Sequence, residues 1–153
     1  MLALELRIPP VIQVIIIGVA MWGLSSFFPT FNASSNATTA VGAIFILIGI
    51  ALAALGVLEF RKANTTVDPR FPEKSSQLVE IGVYRISRNP MYLGFLLILS
   101  GWVFYLMNYM AFVLLPAFVL FMNSYQIKPE EKYMMQKFSK EFKAYAARVR
   151  RWI

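Results

Sequence analysis

The sequence predicts an all-α, polytopic membrane protein, with four transmembrane helices followed by a C-terminal amphipathic helix at the membrane interface. Three observations carry this. Of 153 residues, 58% are hydrophobic and only 15% charged, against about 25% charged in a soluble domain. No Lys, Arg, Asp or Glu occurs between Pro9 and Leu58, and none between Met91 and Ile127. Helices that long with no charged face present nothing to water. The charge that remains collects in three segments: before the first uncharged run, between the two runs, and after the second.

A helix needs about 20 apolar residues to cross the hydrocarbon layer. The first uncharged run holds two spans, residues 10–28 and 40–58, separated by a polar, turn-forming stretch at 29–39. The second run divides at Met107-Asn108-Tyr109 into 91–106 and 109–125, short for spans, which read as two crossings joined as a hairpin, with a re-entrant pair as the alternative. The first span is too long for a typical signal core and shows no small-residue cleavage site, so it reads as a mature helix. The whole of 1–153 reads as one membrane domain. Cysteine is absent, which excludes disulfides. No metal centre is expected. The sequons at Asn32, Asn36 and Asn64 read as ordinary loop residues.

All 15 basic and all 8 acidic residues fall in the three charged segments. Four crossings place those segments on one face, and the excess of Lys and Arg makes that face cytoplasmic. The expectation is a cell (inner) membrane protein with both termini and the loop 59–90 in the cytoplasm. Contact with anionic lipid head groups accounts for the net charge of +7, so membrane lipids are expected partners and nucleic acid is not. Transport is disfavoured, because no charge lies within the spans to form a path.

Polar chemistry is confined to the loop 59–90 and the tail 128–153. In the tail, Pro129 suits a first helical turn, and Glu130 and Glu131 follow where a helix dipole favours carboxylates. Tyr133, Met134, Phe138, Phe142, Tyr145 and Val149 recur mostly three and four apart, as on an interfacial helix, with Trp152 as an aromatic anchor. At the end of the loop, Asn89 reads as a cap and Pro90 as the start of the third helix. Arg88 stands beside that helix start, a position suited to an anion. Gly82 and Gly94 permit close backbone approach.

The string Gly82-Val83-Tyr84, then Arg88-Asn89-Pro90-Met91-Tyr92-Leu93-Gly94, resembles the signature of the isoprenylcysteine carboxyl methyltransferase and phospholipid methyltransferase superfamily. Glu130-Glu131, Phe138-Ser139, Glu141-Phe142, Tyr145 and Val149-Arg150-Arg151-Trp152 resemble its second motif, after a short uncharged hairpin. Thr65-Thr66-Val67-Asp68-Pro69 is similar to a loop of bacterial members. The resemblance covers the chain from about residue 65 onward.

The resemblance implies an integral membrane enzyme that moves a methyl group from S-adenosylmethionine to a membrane-embedded or lipophilic acceptor. That acceptor is a prenylcysteine-like carboxylate, a phospholipid amine or a small thiol. It implies a cofactor site at Gln77, Leu78, Val79, Gly82, Tyr84, Arg88, Asn89, Pro90, Met91, Tyr92, Gly94 and Glu130, with catalytic roles for Arg88, Glu130 and Glu131. Asn89 stands where the family has His, Ser139 where it has Gly, and Gln126 where eukaryotic members place an arginine on the substrate carboxylate. In-line displacement at a sulfonium needs alignment and a dry site rather than a covalent intermediate, which suits a chain without Cys or His. A carboxylate acceptor is already ionised near neutral pH, whereas an amine or thiol must first lose a proton. The alternative is a degenerate, non-catalytic member serving as a membrane scaffold.

The charge segregation generates a test. With no native cysteine, Ser35→Cys and Ser75→Cys provide single labelling sites, and an impermeant maleimide should reach them from opposite sides of the membrane. Labelling of both from one side would break the four-span topology.

Overall fold

The computed structural model describes residues 8–28, 35–65 and 76–153. Most of the 29–39 linker, the stretch 66–69 and Ser75 lie outside the described residues. The protein is all-α, with no β-strand among the described residues. Its α-helices are α1 (Pro10–Phe27), α2 (Asn36–Lys62), α3 (Pro90–Leu106), α4 (Tyr109–Phe112), α5 (Leu114–Met122) and α6 (Lys128–Arg148). A 3₁₀ turn occupies Gly82–Arg85 and a π turn occupies Asn123–Ile127.

This is an integral membrane protein. α1, α2 and the helical run from Tyr109 onward are each long and apolar enough to span a membrane, and α3 is a shorter apolar helix. Val11, Ile15, Val19 and Trp22 of α1 and Ile44, Leu47 and Ile48 of α2 all point outward, each more than 50% exposed. Lipid, not water, is the solvent that such a surface tolerates.

α2 begins at Asn36, earlier than the expected 40, and runs to Lys62. Ser35 and Thr38 explain the early start. The Ser35 hydroxyl accepts from the Thr38 N–H at 3.2 Å, and the Thr38 hydroxyl accepts from the Ser35 N–H at 2.9 Å, a reciprocal capping box. The extra turn at the other end carries Glu59, Arg61 and Lys62 beyond the apolar stretch.

α3 is the central helix, in contact with α1, α2 and α5. Its core residues Tyr92, Leu99 and Val103 pack with Met21, Phe118 and Met122. The Trp102 indole N–H donates to the Gly18 carbonyl at 3.0 Å and ties α3 to α1. Against α2 the contact is made by glycines. A Cβ on Gly49 would stand 2.5 Å from the Gly94 carbonyl, and one on Gly94 would stand 2.5 Å from the Gly49 carbonyl. Gly42 and Gly101 repeat the arrangement, and Gly56 meets Met91. Hydrophobicity does not drive helices together within lipid, so close backbone approach over small residues is what holds this pair.

The hairpin turns where the sequence suggested. Met107 adopts φ 44°, and the Asn108 side chain caps α4 by accepting from the Met110 N–H at 2.9 Å. The Asn108 amide also donates to the Phe28 carbonyl at 3.0 Å, so the turn is fastened to the end of α1.

The tail does not start a fresh helix at Pro129. Helical backbone continues from α5 through the π turn into α6. Pro129 has no N–H, and its ring would clash with the carbonyl four residues back. One wider turn, with Lys128 N–H bonded to the Asn123 carbonyl, accommodates it. α6 kinks further on at Ser139, φ 20°. Trp152 turns inward instead of anchoring at the interface. Its indole N–H donates to the Asn123 side chain at 3.1 Å, and its ring packs on the core.

The α2–α3 crossing gives a stability prediction. Gly49→Ala forces a methyl into backbone and should cost about 1–3 kcal/mol. Gly23, with open space around its Cβ position, should accept Ala at no cost or with a slight gain in helix propensity. Unfolding of both variants in detergent checks the contrast.

Candidate functional site

The loop, α6 and the chain end meet at the foot of α3. The loop is tied to the end of α2 by Gln77, whose side-chain amide donates to the Ala63 carbonyl, and by the Ser76 hydroxyl, which donates to the Asn64 carbonyl at 3.2 Å. Gly82 adopts φ 57°, which favours glycine, and its Cβ position lies 2.8 Å from the Glu59 carboxyl carbon, so the Glu59 side chain packs directly on it. Glu59 itself is paired with Lys62 at 3.0 Å.

The chain end folds back across the loop. The Arg88 N–H donates to the Arg150 carbonyl at 3.0 Å. The Asn89 amide donates to the Arg151 carbonyl at 2.9 Å, and the Ser87 hydroxyl donates to the same carbonyl at 3.3 Å. Asn89 therefore does not cap α3 as expected, because its side chain is committed to the chain end. Pro90, at the first helical position, has no N–H to satisfy. The Tyr145 hydroxyl donates to the Tyr84 carbonyl at 2.7 Å, and Arg148 pairs with Glu80 at 2.8 Å.

Glu131 lies between two arginines. Arg151 approaches it as a fork, with Nε to Oε1 at 3.0 Å and Nη2 to Oε2 at 2.5 Å. Arg88 Nη2 stands 3.2 Å from Oε1. The hydrogen bonds to Glu131 raise Arg151 above its ordinary value. Arg88 also lies over the Phe142 ring, 5.9 Å from its centroid.

Glu130 has a different environment. The Tyr92 hydroxyl and the Gln126 amide both donate to its Oε1, each at 2.5 Å. The other oxygen is clear of those two donors. Burial raises the carboxyl to about 7. The hydrogen bonds from Tyr92 and Gln126 work against that rise, and the nearby Glu131 charge adds to it. Burial likewise pushes the Tyr84 and Tyr145 phenols up.

These segments border a cleft of about 90 Å³, lined by Phe60, Gln77, Leu78, Val79, Tyr84, Arg88, Asn89, Glu130, Glu131, Met134, Phe142 and Tyr145. Eight of the residues singled out from sequence thus share one wall or another: Gln77, Leu78, Val79, Tyr84, Arg88, Asn89, Glu130 and Glu131. The others stand behind it. Gly82 abuts Glu59, Met91 abuts Gly56, and Gly94 abuts Gly49. Tyr92 reaches the cleft through Glu130, and Pro90 is buried at the head of α3. Phe60, Met134, Phe142 and Tyr145 also line the cleft and were not expected at the site, although the last three lie on the predicted apolar face of the tail helix. Met134 lies four residues after Glu130, on the same helical face, which was the available signal. For Phe60 there was none.

Two polar atoms of the lining are buried without a partner: Tyr84 OH and Arg88 Nε. Gln126 Oε1, beside Glu130, is a third. Native interiors rarely leave such groups unpaired, and each one calls for an explanation.

An uncharacterized protein of Haemophilus influenzae is 43% identical over 63 residues, covering 41% of this chain and all of that protein. A probable protein-S-isoprenylcysteine O-methyltransferase of Oryza sativa subsp. indica is 31% identical over 109 residues, 71% of this chain and 57% of that protein. The protein-S-isoprenylcysteine O-methyltransferase of Saccharomyces cerevisiae is 28% identical over 121 residues, 78% of this chain and 50% of that protein. The chain thus spans little more than half the length of the plant and yeast relatives. No solved structure matches it. The phospholipid methyltransferase profile matches residues 37–141, from the start of α2 into α6 and across the cleft, and the chain belongs to that family.

Proposed function

We propose that this protein is an S-adenosylmethionine-dependent methyltransferase acting on a lipophilic acceptor at the cytoplasmic face of the membrane. The observation that carries this reading is the mixed polarity of the cleft. A buried guanidinium N–H without a partner lies on the same cleft as a carboxyl whose second oxygen is clear of its two donors. A ligand with both a carboxylate and positive charge answers both, and S-adenosylmethionine has that character. Arg88 would hold its carboxylate, Glu130 its cationic or hydroxyl groups, and Leu78, Val79, Met134 and Phe142 its apolar parts. When bound, it supplies an electrophilic methyl on a sulfonium.

The chain's own contribution is alignment, exclusion of water and charge. The Arg151–Glu131–Arg88 group fixes the cleft walls relative to one another. Glu130, ionised, favours a cation over the neutral species left after transfer. With its carboxyl near 7, Glu130 is also suited to take a proton from an amine or thiol acceptor. A carboxylate acceptor needs no such step. The relatives' names point to lipid-linked acceptors, and the apolar surroundings of the cleft fit an acceptor that arrives from the bilayer.

Glu130→Gln keeps the shape and the helix but removes the charge. Methyl transfer and cofactor affinity should fall severely, with little change in Tm. The raised carboxyl adds a pH signature. In the ligand-free protein, Glu130's contribution to stability is full below the ordinary carboxylate range and is lost as pH rises through about 7. A cationic ligand favours the ionised form, so cofactor affinity should rise with pH across that window in the native protein and stay flat in Glu130→Gln. Calorimetry across the pH range checks both, and normal turnover in Glu130→Gln would sink the assignment.

Arg88→Ala should leave a folded protein, because Glu131 keeps Arg151. Cofactor affinity should drop about ten- to a hundredfold, the worth of one charge-assisted hydrogen bond. Unchanged calorimetric affinity would refute Arg88 as the carboxylate's partner, and no S-adenosylmethionine binding by the native protein would favour a non-catalytic role.

A further inference from the structure

A second cavity lies between α1 and α5, at the Pro10 end of α1. It measures about 120 Å³ and is lined, among the described residues, by Ile8, Gln13, Ile16, Ile17, Phe118 and Phe121. Gln13 is the one polar side chain in that lining among the described residues. It is 6% exposed. Its amide N–H donates to the Ile8 carbonyl at 2.8 Å, which fastens the lead-in to α1. Its oxygen, Oε1, is buried and accepts from nothing among the described residues.

A bare amide oxygen among isoleucines and phenylalanines is costly. Water is a poor remedy, because a buried water needs two to four polar partners and this lining offers little beyond the one amide. A ligand that brings its own donor and fills the rest of the space with hydrocarbon meets both conditions. Gln13 is three residues into α1, about 5 Å along the axis, so the polar end of such a ligand would sit near the start of the helix and its hydrocarbon along the apolar wall beyond.

We propose that this cavity is a binding site for a single-chain amphiphile carrying an O–H or N–H donor. The donor bonds to Gln13 Oε1, and the chain packs on Ile16, Ile17, Phe118 and Phe121. The site stands on Gln13 and its surroundings and does not depend on methyl transfer. Its position is suggestive all the same. Phe121 packs against Tyr125, with ring centroids 4.6 Å apart and the planes tilted by 34°, and the same continuous helix carries Gln126 and Glu130 onward to the cleft.

Photoactivatable long-chain alcohol and its methyl ether, which lacks the donor, provide the test on the full chain in lipid nanodiscs. Mapping of labelled peptides should show the alcohol on α1 and α5 at roughly tenfold higher occupancy than the ether, as one hydrogen bond in apolar surroundings predicts. Gln13→Met, similar in shape but without a strong acceptor, should abolish that preference, whereas Gln13→Glu, which keeps an acceptor, should retain it. Ile16→Trp, at a position 55% exposed to lipid and so free to change, should fill the cavity and exclude both probes. Equal labelling by alcohol and ether in the native protein would overturn the proposal. So would a preference that survives Gln13→Met, or labelling that survives Ile16→Trp; thermal unfolding confirms that each variant is folded.

Discussion

Glu131 is held by Arg151 from the chain end and by Arg88 from the loop, while its own backbone belongs to α6. Three segments distant in sequence are thereby fixed to one another; the loop and α6 wall the cleft together with Phe60 of α2, and the chain end ties those two walls from outside it. The arrangement is partly buried, with side-chain exposures of 20% for Glu131, 14% for Arg88 and 32% for Arg151. At that depth a carboxylate without its cations would be an uncompensated charge, so either arginine alone is a weaker arrangement than the pair. The backbone bonds from Arg88, Ser87 and Asn89 to Arg150 and Arg151 reinforce the same closure. Asn89 needs only a side-chain N–H donor for its part, and a histidine ring offers one as well.

The closure would be idle if α3 were not correctly placed, since Arg88 and Asn89 precede its first turn. Its placement rests on the glycine-lined crossing with α2. Gly42, Gly49 and Gly56 are spaced by seven residues, and Gly94 and Gly101 match that spacing on α3. Two helical turns on each side therefore bring backbone to backbone, and the register is set by which glycine faces which. The same crossing puts Met91 on Gly56 and leaves the end of α2, with Phe60 and Glu59, against the loop. Packing deep in the membrane thus positions chemistry at its surface.

Charge-free runs made the spans legible, because a charge inside lipid is expensive and its absence is a strong signal. The hairpin turn at Asn108 was legible for a related reason: a polar residue amid apolar ones marks where a turn is needed. Pro129 misled. As an isolated signal it marks a helix start, but Ile127 and the residues before it already sustain a helix, and one π turn absorbs the ring. Asn89 and Trp152 misled in another way. Their partners, Arg151 and Asn123, are 62 and 29 residues away, and no local pattern encodes a chain end that folds back. The glycine spacing on α2 was visible in the sequence; its meaning depended on knowing that α3 was the partner. For the candidate site, eight of the motif residues line the cleft and five support it from behind, a division that motif spacing alone does not reveal.

The two adjacent glutamates show how environment separates like residues. At a fresh helix start both would simply complement exposed N–H groups. That account fails here, because the helix runs on through the π turn and the Lys128 N–H is already bonded to Asn123. Glu131 has two guanidinium partners, Arg151 and Arg88. Glu130 has a phenol and an amide for partners, both neutral donors, and burial lifts its carboxyl toward 7. A purely structural carboxylate at that depth would be better served by a cation, as its neighbour is. A carboxyl kept close to its own ionisation point, with one oxygen clear of Tyr92 and Gln126, is one whose charge state a ligand can decide.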